Sequence, residues 1–181
     1  MPSLSVVVAR QARRAAAGLL TAALLGAGCT SVPAGSYDPS TGLGPLPQVE
    51  LARLGEPGAM VDSDSWRTTP TLINFWATWC AFCVEEMPAL QAASELLAGQ
   101  VRFIGIDRQD PTEDALNFLA ETGVTYPQLA SNGDYYVQLG HRGMPTTLFV
   151  DADGVVRYRH TGPLDEQLVL ELARTHLGVD G

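Results

Sequence analysis

Lysine is absent from all 181 residues, so every one of the eleven basic side chains is an arginine. No acid precedes Asp38, the first of twenty. Setting aside Arg10, Arg13 and Arg14 leaves eight arginines against those twenty acids, and a chain cut near residue 29 carries about −12 by count. Such a balance excludes nucleic acid as a partner, because phosphate binding needs a basic face. Cysteine is scarce too, at three, which rules out a disulfide scaffold. With hydrophobic content at 46%, the chain is long enough to stabilise one domain by its core alone. There are no internal repeats.

The first 28 residues carry a basic start followed by AAAGLLTAALLGAG (15–28), an apolar run short of the ~20 residues needed to cross a bilayer. This is the pattern of a signal peptide and predicts export. The run ends at Cys29, and LLGAGC resembles a bacterial lipoprotein signal, although Gly26 stands where that pattern usually has leucine. Lipidation of Cys29 is therefore expected, tethering the chain to the membrane by its acyl chains. Residues 29–47, rich in Gly, Pro, Ser and Thr, read as a flexible tether, and the folded domain is expected over 48–181.

Within that domain VELARL and AMVD flank the turn Gly55-Glu56-Pro57-Gly58 and predict a hairpin. TLINFW (71–76) reads as a strand buried on both faces. From Cys80 to Leu97 the pattern is helical, with Met87, Leu90, Ala93 and Leu97 inward and a kink expected at Pro88. VRFIGID (101–107) is the next strand. A helix follows from Thr112 to Gly123, with Ala115, Leu116, Leu119 and Ala120 on its inner face. After a loop and a short helix at 134–140, TTLFVDADGVVRYRHTG predicts a second hairpin. A last amphipathic helix spans 164–178, with Leu168, Val169 and Leu172 inward. This order predicts a three-layer α/β/α fold around a mixed central sheet.

The chemistry concentrates in NFWATWCAFCVEEMP (74–88). With Cys29 used as an anchor, Cys80 and Cys83 alone cannot complete a four-thiolate zinc site. Placed at a helix N-terminus, Cys80 has its thiolate stabilised by unpaired N–H groups and the helix dipole. It is assigned as the exposed attacking thiol, and Cys83, one turn on, as the buried resolving thiol. A static disulfide is the duller alternative, but so short a loop removes little chain entropy. Trp79 is expected to cap the dithiol and Trp76 to lie in the core. For His141 and Arg142, in GHRGMP, a part in shaping a docking surface is weighed against an ordinary loop role, which is preferred, and Asp107, Asp110 and Asp114 are read as a solvated loop and helix start, their spacing lacking a calcium loop's Gly and Glu.

NFWATWC-x-x-C-x-E-E-x-P, together with GMPTTLFVDADG (143–154), resembles the membrane-tethered thioredoxin-like proteins of the TlpA/ResA group. The resemblance covers essentially the whole of 48–181. It implies a thioredoxin-like fold with an N-terminal β-hairpin and a central insertion within 108–140. It also implies a redox-active Cys80–Cys83 disulfide, a cis-proline at Pro145, and a backbone at Met144 that pairs with the substrate chain. Glu86 matches a glutamate placed near the thiols, able to oppose a thiolate and to move the proton of Cys83. Asn74 stands where cytoplasmic thioredoxins keep a buried aspartate. No arginine or histidine lies between Arg67 and Arg102, so nothing near in sequence favours the reduced form.

The function implied is a cofactor-free thiol–disulfide oxidoreductase on the extracytoplasmic face of the bacterial cytoplasmic membrane, or else secreted or periplasmic. It would reduce disulfides of exported proteins, such as apocytochrome c haem-site dithiols or copper-centre assembly proteins. A membrane electron donor of the CcdA type would re-reduce it, and it would act as a monomer. Two alternatives stand beside this one: an oxidase that introduces disulfides, and a metallochaperone holding Cu(I) between the two thiolates.

Overall fold

A computed structural model describes residues Tyr37–Asp180 of the protein. The chain divides into two units, Met1–Val32 and Pro33–Gly181, and the fold is that of the second. The expected signal peptide over 1–28, the expected lipidation at Cys29 and the part of the expected tether up to residue 36 lie outside the described residues.

Eight strands form one sheet among the described residues: β1 (Gly44–Pro45), β2 (Glu50–Arg53), β3 (Met60–Asp62), β4 (Thr71–Trp76), β5 (Arg102–Asp107), β6 (Gln128–Ala130), β7 (Thr146–Val150) and β8 (Val155–Thr161). Their order is β1-β8-β7-β4-β5-β6-β2-β3. β4, β5 and β6 run parallel, while β7 pairs antiparallel with both β4 and β8. The helices are α1 (Ala81–Leu96), α2 (Thr112–Thr122), α3 (Asp134–Gln138) and α4 (Glu166–Leu177). The mixed sheet and thioredoxin-like architecture agree with the expectation.

Strand alternation decides what each face meets. Ile73 and Phe75 of β4 point to one side, into a core closed by Tyr135, Tyr136 and Leu139 around α3 and by Trp66 of a 3-10 turn. Leu72 points to the other side, where Leu90 and Ala93 of α1 meet Val169 and Ala173 of α4. β4 is buried at all six positions, as a central strand covered on both faces must be. The two hairpins, β2–β3 and β7–β8, form as expected.

α1 runs through Pro88 as one helix. Three details depart from the sequence reading. β6 is a three-residue strand within the stretch read as loop. Of the four residues expected inward on α2, Ala115 is buried and Leu119 packs against the core, whereas Leu116 and Ala120 are exposed and Phe118 is buried instead. Phe118 takes the place because its ring stacks on Trp76, with centroids 4.9 Å apart and planes 11° from parallel.

A further departure is at the boundary near 48, since residues within 37–47 pack onto the fold and Gly44–Pro45 join its sheet. β1 pairs with β8, Leu46 is buried in the core, and its N–H donates to the Gly154 carbonyl at 2.8 Å. Tyr37 donates its hydroxyl to the Leu139 carbonyl at 2.9 Å. Glycine and proline set the composition of this stretch, but its few apolar side chains determine where it packs.

Candidate functional site

β4 ends at Trp76, and the turn that follows delivers Cys80 to the N-cap of α1. Trp76 is fixed three ways. It is fully buried, it stacks on Phe118, and its Nε1 donates to Gln128 Oε1 at 2.9 Å. Gly105 on the neighbouring strand leaves room for that glutamine, since a β-carbon there would stand 1.9 Å from its Oε1. The next loop is held by Asp110, whose carboxylate accepts the Thr78 N–H at 2.5 Å.

Cys80 and Cys83 are joined as a disulfide, with α-carbons 5.2 Å apart. Cys80 Sγ also accepts the Cys83 N–H at 3.2 Å, so the sulfur itself caps the helix. Cys83 is 0% exposed and Cys80 only 6%, so the oxidised Cys80 is less open than expected. Its exposure is limited by its neighbours: Trp79 at 64% and Phe82 at 56% stand as an apolar lip. Cys80 opens onto a cavity of about 470 Å3 that Met144 also lines.

The Met144–Pro145 peptide bond is cis. Its loop is pinned from behind, because the Tyr136 hydroxyl and Thr146 Oγ1 both donate to the Gly143 carbonyl at 2.6 Å. The Pro145 carbonyl accepts the Gly162 N–H at 3.0 Å. The Met144 backbone has no hydrogen-bond partner among the described residues.

Glu86 lies one helical turn beyond Cys83 and is 1% exposed. Its Oε1 accepts Asn74 Nδ2 at 2.8 Å and its Oε2 accepts the Leu164 N–H at 3.1 Å. Burial pushes its carboxyl up to about 7, and the two donors only partly oppose that. Asn74 donates as well to Thr147 Oγ1 at 3.1 Å, and its Oδ1 has no partner. Two positions read separately in the sequence thus form one buried pair.

Three further groups escaped sequence reasoning. Arg108 lines the Cys80 cavity, its guanidinium 5.8 Å from the Trp79 ring centre and 5.0 Å from that of Tyr136. Parallel pairing of β4 and β5 brings it there, with the Arg108 N–H donating to the Trp76 carbonyl at 3.0 Å. The absence of a cation near in sequence to Cys80 therefore did not mean absence in space. Asp107, read as solvated, is buried, and burial together with the adjacent Asp110 carboxylate pushes it up to about 7. His141, read as an ordinary loop residue, is buried against Phe75 and Tyr136 with both ring nitrogens unpartnered. Burial, then Arg159, pushes it down to about 4. Only the pairing of β4 with β5 reveals Arg108, and no sequence signal showed that His141 would be buried.

The Redoxin family model matches residues 43–175. The Vibrio cholerae thiol:disulfide interchange protein DsbE is 36% identical over 124 residues, covering 67% of this chain and 66% of that protein. The Escherichia coli protein of the same name is 34% identical over 127 residues, covering 68% and 67%. The match thus spans slightly under two thirds of the Vibrio relative's length. Among solved structures, a secreted thiol-disulfide isomerase from Corynebacterium glutamicum superposes with a TM-score of 0.68 at 24% identity, covering 82% of this chain and 96% of that one. That likeness is one of fold. No helix among the described residues is long and apolar enough to cross a membrane.

Proposed function

The chain belongs to the Redoxin family, and from that premise we propose that it is an extracytoplasmic thiol–disulfide oxidoreductase that reduces disulfides in exported proteins. The observation that carries the proposal is the Cys80–Cys83 disulfide capping α1 and facing a cavity edged by the cis-proline loop. The names of its relatives, thiol:disulfide interchange proteins, support it.

In the reduced protein the Cys80 thiolate attacks one sulfur of a substrate disulfide. The substrate S–S bond breaks, and its other sulfur leaves as a thiolate that takes up a proton. The substrate chain lies along Met144, whose free backbone groups are placed for strand addition beside Pro145. Trp79 covers the mixed disulfide. Cys83 then loses its proton to the Glu86 carboxylate and attacks Cys80 Sγ. The Cys80–Cys83 bond forms, the second substrate thiolate departs, and two electrons have passed to the substrate. A carboxyl titrating at about 7 can accept that proton and return it near neutrality.

The finer reading follows the TlpA/ResA group. Cys29 carries the lipid, a membrane dithiol donor of the CcdA type restores the reduced form, and the protein acts as a monomer. Apocytochrome c dithiols or copper-centre assembly proteins are the substrates. Replacing Cys29 with Ser should move the protein from the membrane fraction to the soluble one; retention on the membrane would refute lipidation.

One observation favours an oxidase instead. Arg108 shares the cavity with Cys80, and a cation there stabilises the thiolate and so the reduced form. Equilibrating the dithiol against a glutathione or dithiothreitol couple decides. A potential below about −200 mV supports the reductase, and one near the about −120 mV of the strong oxidant DsbA would establish the oxidase.

A further inference from the structure

Charge is distributed unevenly around the dithiol. The cavity beside Cys80 and a second of about 800 Å3 share Val137, His141, Arg142 and Gly143, so they flank the segment that leads into the cis-proline. Arg108 lines the first, Arg159 the second, and Arg142 both. The chain beyond residue 37 holds eight arginines and twenty acids. Three of those arginines line these two cavities, and none of the acids does.

These cations are not compensated. The two ion pairs among the described residues, Arg67–Asp64 and Arg157–Asp151, use other arginines. Arg108 Nε and Arg159 Nη1 are buried without an acceptor. Guanidinium groups so placed lose hydration with no carboxylate in return, and an anion entering the groove would supply charge-assisted hydrogen bonds. The flanking Trp79 and Tyr136 rings hold the Arg108 guanidinium in one place.

We infer that this groove receives an acidic segment of the substrate polypeptide, with carboxylates beside the substrate cysteine meeting Arg108, Arg142 and Arg159 while the cysteine reaches Cys80. The inference rests on the oxidoreductase reading and adds to it the chemical class of the substrate. The rest of the surface sharpens the choice. With a count of about −12 overall, the protein repels acidic chains elsewhere, so attraction is confined to the groove. Basic segments meet the reverse arrangement. Attraction of this kind acts mainly on the encounter rate and fades as salt shortens the screening length from ~10 Å at 0.1 M to ~3 Å at 1 M.

The test uses the full chain in its reduced form. Three cysteine peptides, identical except for Glu, Gln or Lys on both sides of the cysteine, are each blocked as mixed disulfides with mercaptoethanol. Second-order rates of their reduction are measured at low and high salt. The glutamate peptide should react about tenfold faster than the lysine peptide at low salt, with the gap closing at high salt. Arg142→Glu should shrink that ratio severalfold, and Arg142→Glu combined with Arg159→Gln should abolish or invert it. Arg142 is exposed and bonded to nothing internal, so the single variant keeps the test valid if the double variant, whose Arg159 packs over Gly42, fails to fold. Equal rates for the three peptides, or a preference unmoved by Arg142→Glu, would overturn the inference and leave the oxidoreductase reading standing. If none of the peptides were reduced, the oxidoreductase reading itself would fall.

Discussion

Glu86 is a carboxyl whose surroundings suit both of its protonation states. Ionised, it takes hydrogen bonds from Asn74 Nδ2 and the Leu164 N–H. Protonated, it needs an acceptor, and a half-turn of the Asn74 amide would offer the Oδ1 that now has no partner. An aspartate at 74 could not serve the ionised form without repulsion. Asn74→Asp should make the two carboxyls titrate as a pair sharing one proton, raising the upper apparent pKa above about 7. Glu86→Gln should instead remove the inflection near pH 7 from the pH profile of thiol–disulfide exchange. Both follow from stopped-flow rates between pH 5 and 9, and a profile unchanged by either substitution would remove the pair from the mechanism. The same shift has a stability consequence. A carboxyl raised from 4.5 to about 7 by folding binds its proton more tightly when folded. Its contribution is therefore full below pH 4.5 and is lost as pH rises to about 7. Glu86→Gln should flatten the fall in stability across that window. At this scale the residues that share a short sequence motif, Cys80, Cys83 and Glu86, were legible. Arg108 and His141 were not, because contacts across strands and loops carry no local pattern.

At the scale of elements, periodicity located α2 and placed Ala115 and Leu119 rightly, but misjudged the rest of its inner face. Ala115, Leu116, Leu119 and Ala120 satisfy a helical stripe, yet the helix is turned so that Phe118 meets Trp76. Hydrophobic spacing cannot distinguish two stripes that differ by less than one residue's rotation when both contain alanines. The ring that fits the available space settles the matter, and that space is set by Gly105, Gln128 and Trp76 on three separate segments. Phe118→Ala should cost about 3–5 kcal/mol, as for other buried aromatics, read from urea unfolding of the oxidised protein. Leu116→Ala, at an exposed position, should cost about 1 kcal/mol or less. Equal costs would mean that the stripe read from periodicity is the one that packs. The strands show the converse: β4, β5 and β7 were legible because burial on two faces leaves long apolar runs, whereas the three residues of β6 were too few to form one.

For the whole molecule, the question is where the fold begins. Composition placed the start at 48, since Gly, Pro, Ser and Thr dominate what precedes it. The contacts place it earlier, because Leu46 fills a core position and β1 covers the edge of β8. Burying one leucine contributes about 1.5–3 kcal/mol, and the Tyr37–Leu139 and Leu46–Gly154 hydrogen bonds about 1 kcal/mol each. A chain beginning at Gln48 should therefore be less stable than one beginning at Tyr37 by about 3–5 kcal/mol, part of the edge of β8 being left open as well. The urea midpoint should fall accordingly, and equal midpoints for the two chains would return 37–47 to the role of a tether.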